Sequence, residues 1–456
     1  MKVALIAPGK DSRFAVQEPL NLGFIASYLE KNDIEVRIID ELAGQSVEEK
    51  LSEYRPNIVG ITATTPLVTD AYRIAKICKK MGILTVMGGV HARVLPEESL
   101  QHVDIVVKGE GEIAMLDIVK NGIRSGIVSR PYIQNIDEIP HPARHLMDMN
   151  FYLRTKDRLP HTYLYFVPPH TKTAAILTSR GCPYNCIFCH NSWRGIPYRF
   201  NSAERVISEI GQLIEVYGIQ ALFFIEDNLF ANKPRLRKIC ELMKKNGFDI
   251  IWGCNARVNN VDLETLTIAK EAGCRQVTFG FESGSQRILD VLNKKTTVEQ
   301  NKEAIELCKQ VGIIPQGTFM IGNPTETKED IRKTQQFIKE HDIESVGICI
   351  TTPYPGTELW KWCEEHNLIP ESFSWSDFTY DRVPIPVCDT IPPKELDRLI
   401  IETFEIASEK MPPTEIRFLQ FINESLLHPR KTVTGIAKVV RKPSMIPKFI
   451  RRLRGL

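Results

Sequence analysis

Ser179-Arg180-Gly181-Cys182-Pro183-Tyr184-Asn185-Cys186-Ile187-Phe188-Cys189-His190-Asn191 holds three cysteines spaced C-x3-C-x2-C, just after the apolar run Ala174-Ala175-Ile176-Leu177. Three thiolates packed this closely suit an iron–sulfur cluster. A four-iron cube held by three cysteines leaves one iron without a protein ligand, free to hold a small molecule and pass it an electron. A structural zinc site wants four ligands and no open position. His190 is a fourth donor only in principle, because a side chain next to Cys189 reaches the same metal under strain. The plain alternative is three small core residues, since free cysteine is often buried as one.

Downstream, strand-like runs recur: Ala174–Thr178, 221–225, 250–253, 276–281, 316–321 and 346–350. Helical stretches such as Ala203–Tyr217 and Val298–Val311 separate them. Six such units predict a parallel β/α barrel, whose chemistry sits at the strand ends. Polar residues follow those ends: Glu226-Asp227-Asn228, Arg257, Glu282-Ser283, and Gly322 before Asn323-Pro324-Thr325-Glu326. Acidic and amide oxygens suit an ammonium partner. The same triplet also reads as a cap for the next helix. Tyr354 lies in a proline-flanked turn after the last strand; it is a candidate for proton handling, and the turn more readily gives it a structural place.

Upstream, residues 1 to about 130 alternate strand (Val3–Ala7, 36–40, 58–62, 84–89, 105–107) with helix (22–29, 70–78). That alternation predicts a second parallel sheet with helices on both faces. Ligands of such sheets lie outside the carboxyl ends of the strands. The turns there carry Thr62 and Thr64, Gly88-Gly89-Val90-His91, and Gly109-Glu110-Gly111-Glu112. Glycines let a backbone approach a ligand closely. No G-x-G-x-x-G follows the first strand, so a dinucleotide is not favoured. A regulatory domain without a ligand is the plain alternative.

Prolines punctuate 131–170, which reads as a linker, with Tyr152, Tyr163, Tyr165 and Phe166 near the cysteine loop. Beyond 365 the chain turns mainly helical, including Pro393–Lys410. Residues 428–456 hold nine Lys or Arg and no Asp or Glu, interleaved with apolar residues. Such an end can lie on an anionic membrane surface, cap the barrel, or form a solvated face. Net charge is +2, which gives no case for nucleic acid. Eleven cysteines, eight of them scattered, fit a reducing cytoplasm and one cluster. The start of the chain lacks the pattern of a signal peptide, and no apolar run is long enough to span a bilayer.

The cysteine spacing at the end of a first barrel strand resembles the radical S-adenosylmethionine family. The resemblance implies that Cys182, Cys186 and Cys189 hold a [4Fe-4S] cluster. The open iron then chelates S-adenosylmethionine, which is cleaved to methionine and a 5′-deoxyadenosyl radical. It also implies a partial, six-stranded barrel. Glu226, Asp227 and Asn228 take positions facing the methionine amino group, Arg257, Glu282 and Ser283 resemble contacts to its carboxylate or the ribose, and Gly322 belongs to the motif at the adenine. Pro19–Gly23, Asp40, Gly88–His91 and Gly109–Glu112 together look like the Rossmann-like cobalamin-binding domain fused to many members. Thr62, Thr64, Gly88, Gly89, His91, Gly109 and Glu110 are then the candidate cobalamin contacts. The D-x-H-x-x-G motif is absent, so no protein ligand is assigned to cobalt. His91 reads as readily as a surface histidine, or one behind the contact layer, as it does as a contact.

The expected organisation is a cobalamin-binding domain (1–130), linker (131–170), radical S-adenosylmethionine barrel (171–365) and helical C-terminal region (366–456). The expected activity is methylation of an unactivated carbon. The alternatives are a non-methylating radical reaction, such as ring formation or rearrangement, and a cobalamin-binding sensor or assembly protein with a structural cluster. The resemblance further implies an electron donor such as ferredoxin or flavodoxin. A small molecule, a lipid and a peptide or protein side chain all stay open as substrate. The expected location is the cytoplasm, with the 428–456 tail able to touch the inner face of the membrane.

Overall fold

The strands Lys2–Ala7 (β1), Glu35–Asp40 (β2), Ile58–Thr62 (β3), Leu84–Gly88 (β4), Ile105–Val107 (β5) and Gly126–Val128 (β6) form one parallel sheet. Most are apolar at successive positions and buried on both sides, as a parallel sheet covered on both faces requires. Two apolar layers flank it, one around Ala4, Ile6, Val59 and Ile61, the other around Val3, Leu5, Val86 and Ile105. The computed structural model of the chain describes residues 1–9, 17–153, 164, 167, 170–190, 198–379 and 384–410.

Strand order is β2-β1-β3-β4-β5-β6. The direction of winding reverses between β1 and β3, and in this class of sheet the ligand crevice lies at that reversal. The helix Leu20–Glu30 covers one face there, and the helix Gly111–Asn121 packs beside it. β6 was not anticipated from the sequence. It has only three residues, and one of its side chains is exposed.

The second sheet contains Thr173–Ile176 (β7), Ala221–Phe224 (β10), Ile251–Ala256 (β11), Cys274–Glu282 (β12), Ile314–Ile321 (β13) and Ser345–Ile350 (β14). Every pairing is parallel, in the order β14-β13-β12-β11-β10-β7. β7 and β14 are its two edges and do not pair, so the six-stranded barrel is open. A small antiparallel ribbon, Ser179–Arg180 (β8) with Arg199–Phe200 (β9), sits at the root of the cysteine loop. The barrel core is one continuous cluster that includes Trp252, Phe279, Phe281 and Phe319.

The linker is docked onto its neighbours. Arg144 donates to Glu209 Oε1 and to the Ala175 carbonyl, each at 2.8 Å. Buried Glu18 accepts from the Ala175 amide at 3.1 Å. Tyr152 donates its hydroxyl to Asp40, so this linker aromatic packs against the first domain. Tyr163, Tyr165 and Phe166 lie outside the described residues, as does the whole 428–456 tail. The helix Glu358–Glu365 ends the barrel, and in the described part of the C-terminal region a helix spans Pro393–Glu409. No helix among the described residues is long and apolar enough to cross a membrane.

Candidate active site

The carboxyl ends of both sheets open onto one cleft of about 340 Å³. The first domain lines it with Leu5, Gly60, Thr62, Gly88, Gly89, Arg93, Val107, Gly109 and Glu110, and the second with Ser179, Arg180, Gly181, Glu226 and Asp227. A Cβ on Gly88 would meet only Val107, at 3.9 Å, so the missing side chain leaves room in the cleft. Gly89 has φ +94°, and a Cβ there would fall 2.6 Å from the Ala63 carbonyl. Thr62 accepts at Oγ1 from Asn21 (3.0 Å). This floor is largely apolar, and its glycines let a broad flat ligand such as a corrin approach the backbone.

Thr64 and His91 do not line the cleft. Thr64 is exposed, at the start of the short turn Thr65–Leu67. His91 is fully buried, 3.4 Å from Thr65 Oγ1 and 3.5 Å from Glu98 Oε1, with Trp375 edge-on at 5.1 Å. It therefore stands in the seam between the first domain and the C-terminal region. Glu110 both lines the cleft and bridges domains: it takes Arg199 at 2.6 Å and Arg180 at 3.2 Å. Glu112 takes Arg180 at 2.6 Å. Burial pushes the Glu110 carboxyl up, but the two guanidiniums outweigh it and hold it below its ordinary value.

Cys182, Cys186 and Cys189 lie on the loop after β8; Cys186 is buried and Cys189 is exposed. Among the described residues no three His, Cys, Asp or Glu side chains converge on a single ion. The Cys189 thiol is pushed up to about 12, by loss of water and then by the charges of Asp227, Cys186 and Cys182. Burial raises Cys182 as well. Cys182, Cys186 and Cys189 stand on one short loop, and three cysteine sulfurs are the donor type that an iron–sulfur cube takes. The donor set therefore fits the cluster.

Of the triplet after β10, Asp227 alone is left without a hydrogen bond or ion pair to a described residue. Burial and the neighbouring Glu226 charge raise its carboxyl. Glu226 accepts from the Thr178 amide (2.9 Å) and hydroxyl (2.7 Å), with Arg235 at 3.6 Å. Asn228 accepts from the Arg257 amide at 3.3 Å and donates to Asn260 at 2.7 Å. Glu282 is buried against Lys294 at 2.6 Å and has φ +61°, in the left-handed region. Ser283 is bound to Thr334 (3.1 Å). Gly322 donates its amide to Glu326 (2.7 Å). Tyr354 donates to the Phe378 carbonyl at 3.0 Å, the structural place its turn suggested. Sequence reasoning assigned no role to Arg180, Glu112, Arg199, Arg235 or Lys294. Only the position of Arg180 beside the cysteine loop and of Glu112 in the glycine-rich turn hinted at one.

Residues 176–338 match the family model of the radical SAM superfamily, and residues 11–119 match the B12 binding domain. An uncharacterized methyltransferase of Pyrococcus horikoshii is 35% identical over 412 residues, covering 83% of this chain and 86% of the relative. The chain belongs to the cobalamin-dependent radical S-adenosylmethionine family. Its cofactors are a [4Fe-4S] cluster, S-adenosylmethionine and cobalamin. The anaerobic magnesium-protoporphyrin IX monomethyl ester cyclase of Rubrivivax gelatinosus is 28% identical over 379 residues, 75% of this chain and 66% of that one. The structure of the cobalamin-dependent S-adenosylmethionine radical enzyme OxsB, with aqua-cobalamin and S-adenosylmethionine bound, superposes with a TM-score of 0.69. It covers 97% of this chain and 75% of that one at 16% identity. The expected fold class is thereby borne out: a Rossmann-like first domain, a partial β/α barrel and a helical C-terminal region.

Proposed function

We propose that the enzyme transfers a methyl group to a substrate carbon that carries no leaving group. When bound, the cluster with S-adenosylmethionine supplies a hydrogen-abstracting radical, and cobalamin supplies the methyl group. The chain's own part is placement. Cys182, Cys186 and Cys189 hold the cluster at the barrel side of the cleft. Asp227, open to the cleft, is suited to the methionine ammonium. The bare backbone at Gly88, Gly89 and Gly109, with Thr62, cradles the corrin on the opposite side. Apolar walls such as Leu5, Val107 and Leu177 keep water from the space between. The division of the chain at about 130, 170 and 365 belongs to the same proposal, as do a ferredoxin- or flavodoxin-type electron donor and a cytoplasmic setting.

The observation that carries this reading is the single cleft shared by the two sets of strand ends. The test uses anaerobically reconstituted full-length protein with dithionite and S-adenosylmethionine. We expect 5′-deoxyadenosine from the wild type and none from Cys186→Ala. Untargeted mass spectrometry of a deletion strain should reveal a product lost with the enzyme, heavier than its precursor by one CH2 unit. Absence of 5′-deoxyadenosine from iron-replete wild type would sink the proposal. The similarity to a cyclase supports a second reading, radical ring formation. In that case 5′-deoxyadenosine forms but the lost product differs from its precursor by hydrogens, not by CH2.

A further inference from the structure

Arg257 directly follows β11 and is 6% exposed. Its guanidinium is occupied on every side. Nη1 donates to Cys186 Sγ at 3.5 Å, Nη2 to the Lys294 carbonyl, and Nε to Asn259 at 3.4 Å. Its flat face lies on the Tyr184 ring, 3.6 Å from the centroid. Tyr184 is itself fixed, donating to Asn260 at 2.8 Å, and Asn260 also takes the Asn228 amide group. No carboxylate among the described residues pairs with this buried cation. Lys294, its neighbour, is already matched by Glu282. A buried charge without a counter-ion is costly. The contact to the methionine carboxylate or ribose that the family resemblance implies for Arg257 does not account for a guanidinium turned onto a ligating sulfur.

A cube with a core charge of +2, held by three thiolates, carries a net −1 when oxidised and −2 when reduced. It is therefore the missing counter-charge. A cation and an N–H donor at a ligating sulfur favour the electron-richer state. Building on the cluster assignment above, we propose that Arg257 is a positioning residue for the cluster. It orients Cys186 and Tyr184 and raises the potential at which the cluster takes up its one electron. No bond forms or breaks in that step; the electron comes from the reductant and stays on the cluster.

The test compares reconstituted full-length wild type with Arg257→Met, Arg257→Gln and Arg257→Lys. Iron content, the electron paramagnetic resonance signal of the reduced cluster during a dithionite-mediator titration, and S-adenosylmethionine affinity are measured on each. Arg257→Met should hold as much iron as wild type. Its reduced-to-oxidised ratio at a given potential should fall about tenfold, a shift of about 59 mV for one electron. Arg257→Lys, which keeps the charge but not the planar fork, should fall between. Where Arg257→Met does not retain iron, Arg257→Gln decides in its place. A wild-type ratio in the iron-replete variant, or a loss confined to S-adenosylmethionine affinity, overturns the proposal. So does failure of all three variants to hold iron, which would assign Arg257 to assembly. Failure of wild type itself to take up iron would instead remove the cluster assignment beneath it.

Discussion

Glu326 shows what one side chain does at a strand end. It is fully buried, and its carboxylate accepts the amides of Gly322 (2.7 Å) and Asn323 (2.9 Å), bending the chain after β13. Burial pushes its carboxyl from 4.5 up to about 7, against those hydrogen bonds. Asp330, four residues on, goes the other way: burial works against it, but Arg287, Ser285 and Thr327 hold it well below the carboxylate range. For Glu326 the folded state keeps a proton that the unfolded chain has already released. Its contribution to stability is therefore full below about pH 4.5 and lost as the pH rises through about 7. The loss has an upper bound of about 3 kcal/mol. Glu326→Gln should remove this slope and be more stable than wild type at pH 8. Urea midpoints of both proteins from pH 5 to 8 check it; parallel curves would refute it. The residue was legible in sequence only as part of a motif, because nothing local announces that its carboxylate turns back onto its own strand end.

At the scale of the element, the turn from β4 into the helix Val90–Val94 depends on Gly89. Its φ of +94° is one that side chains rarely tolerate, and the Ala63 carbonyl blocks the place of a Cβ. Gly89→Ala should destabilise the first domain by roughly 2 kcal/mol and abolish cobalamin loading. Unfolding curves and the corrin absorption of loaded, desalted protein test it; retained corrin at unchanged stability would refute it. Such turns were readable in advance, since Gly88-Gly89 follows an apolar run and glycine at a strand end has a physical meaning. The long apolar strands were equally legible: all six barrel strands fall on the anticipated runs. What escaped was short or paired at a distance. β6 gives three residues with little pattern, and β8 with β9 joins segments on either side of the cysteine loop. Glu282 read as a ligand contact because its strand-end position was visible, while its ion partner Lys294, held in the left-handed turn around Asn293 and Lys295, was not.

At the scale of the whole molecule, chemistry at the cleft requires the two sheets to keep a fixed separation. The seam that holds them contains four buried charges: Arg180 and Arg199 from the barrel side, Glu110 and Glu112 from the first domain. All four side chains are at most 13% exposed. Removing one partner of such a set leaves a buried charge uncompensated, which costs about 3–5 kcal/mol, whereas replacing both with apolar groups is often near neutral. Glu112→Gln should therefore destabilise the protein strongly, and the pair Arg180→Met with Glu112→Leu should recover most of the loss. Because Arg180 is two residues from Cys182, the same substitution should also loosen the root of the cluster loop. In Glu110→Gln/Glu112→Gln we expect the domains to unfold separately, giving two transitions in urea against one expected for wild type, with earlier proteolysis in the 131–170 linker. A double-mutant cycle across Arg180 and Glu112 measures the coupling directly. Additive effects and a single unchanged transition would show that the seam is incidental and that the docked linker, through Arg144 and Glu18, sets the separation instead.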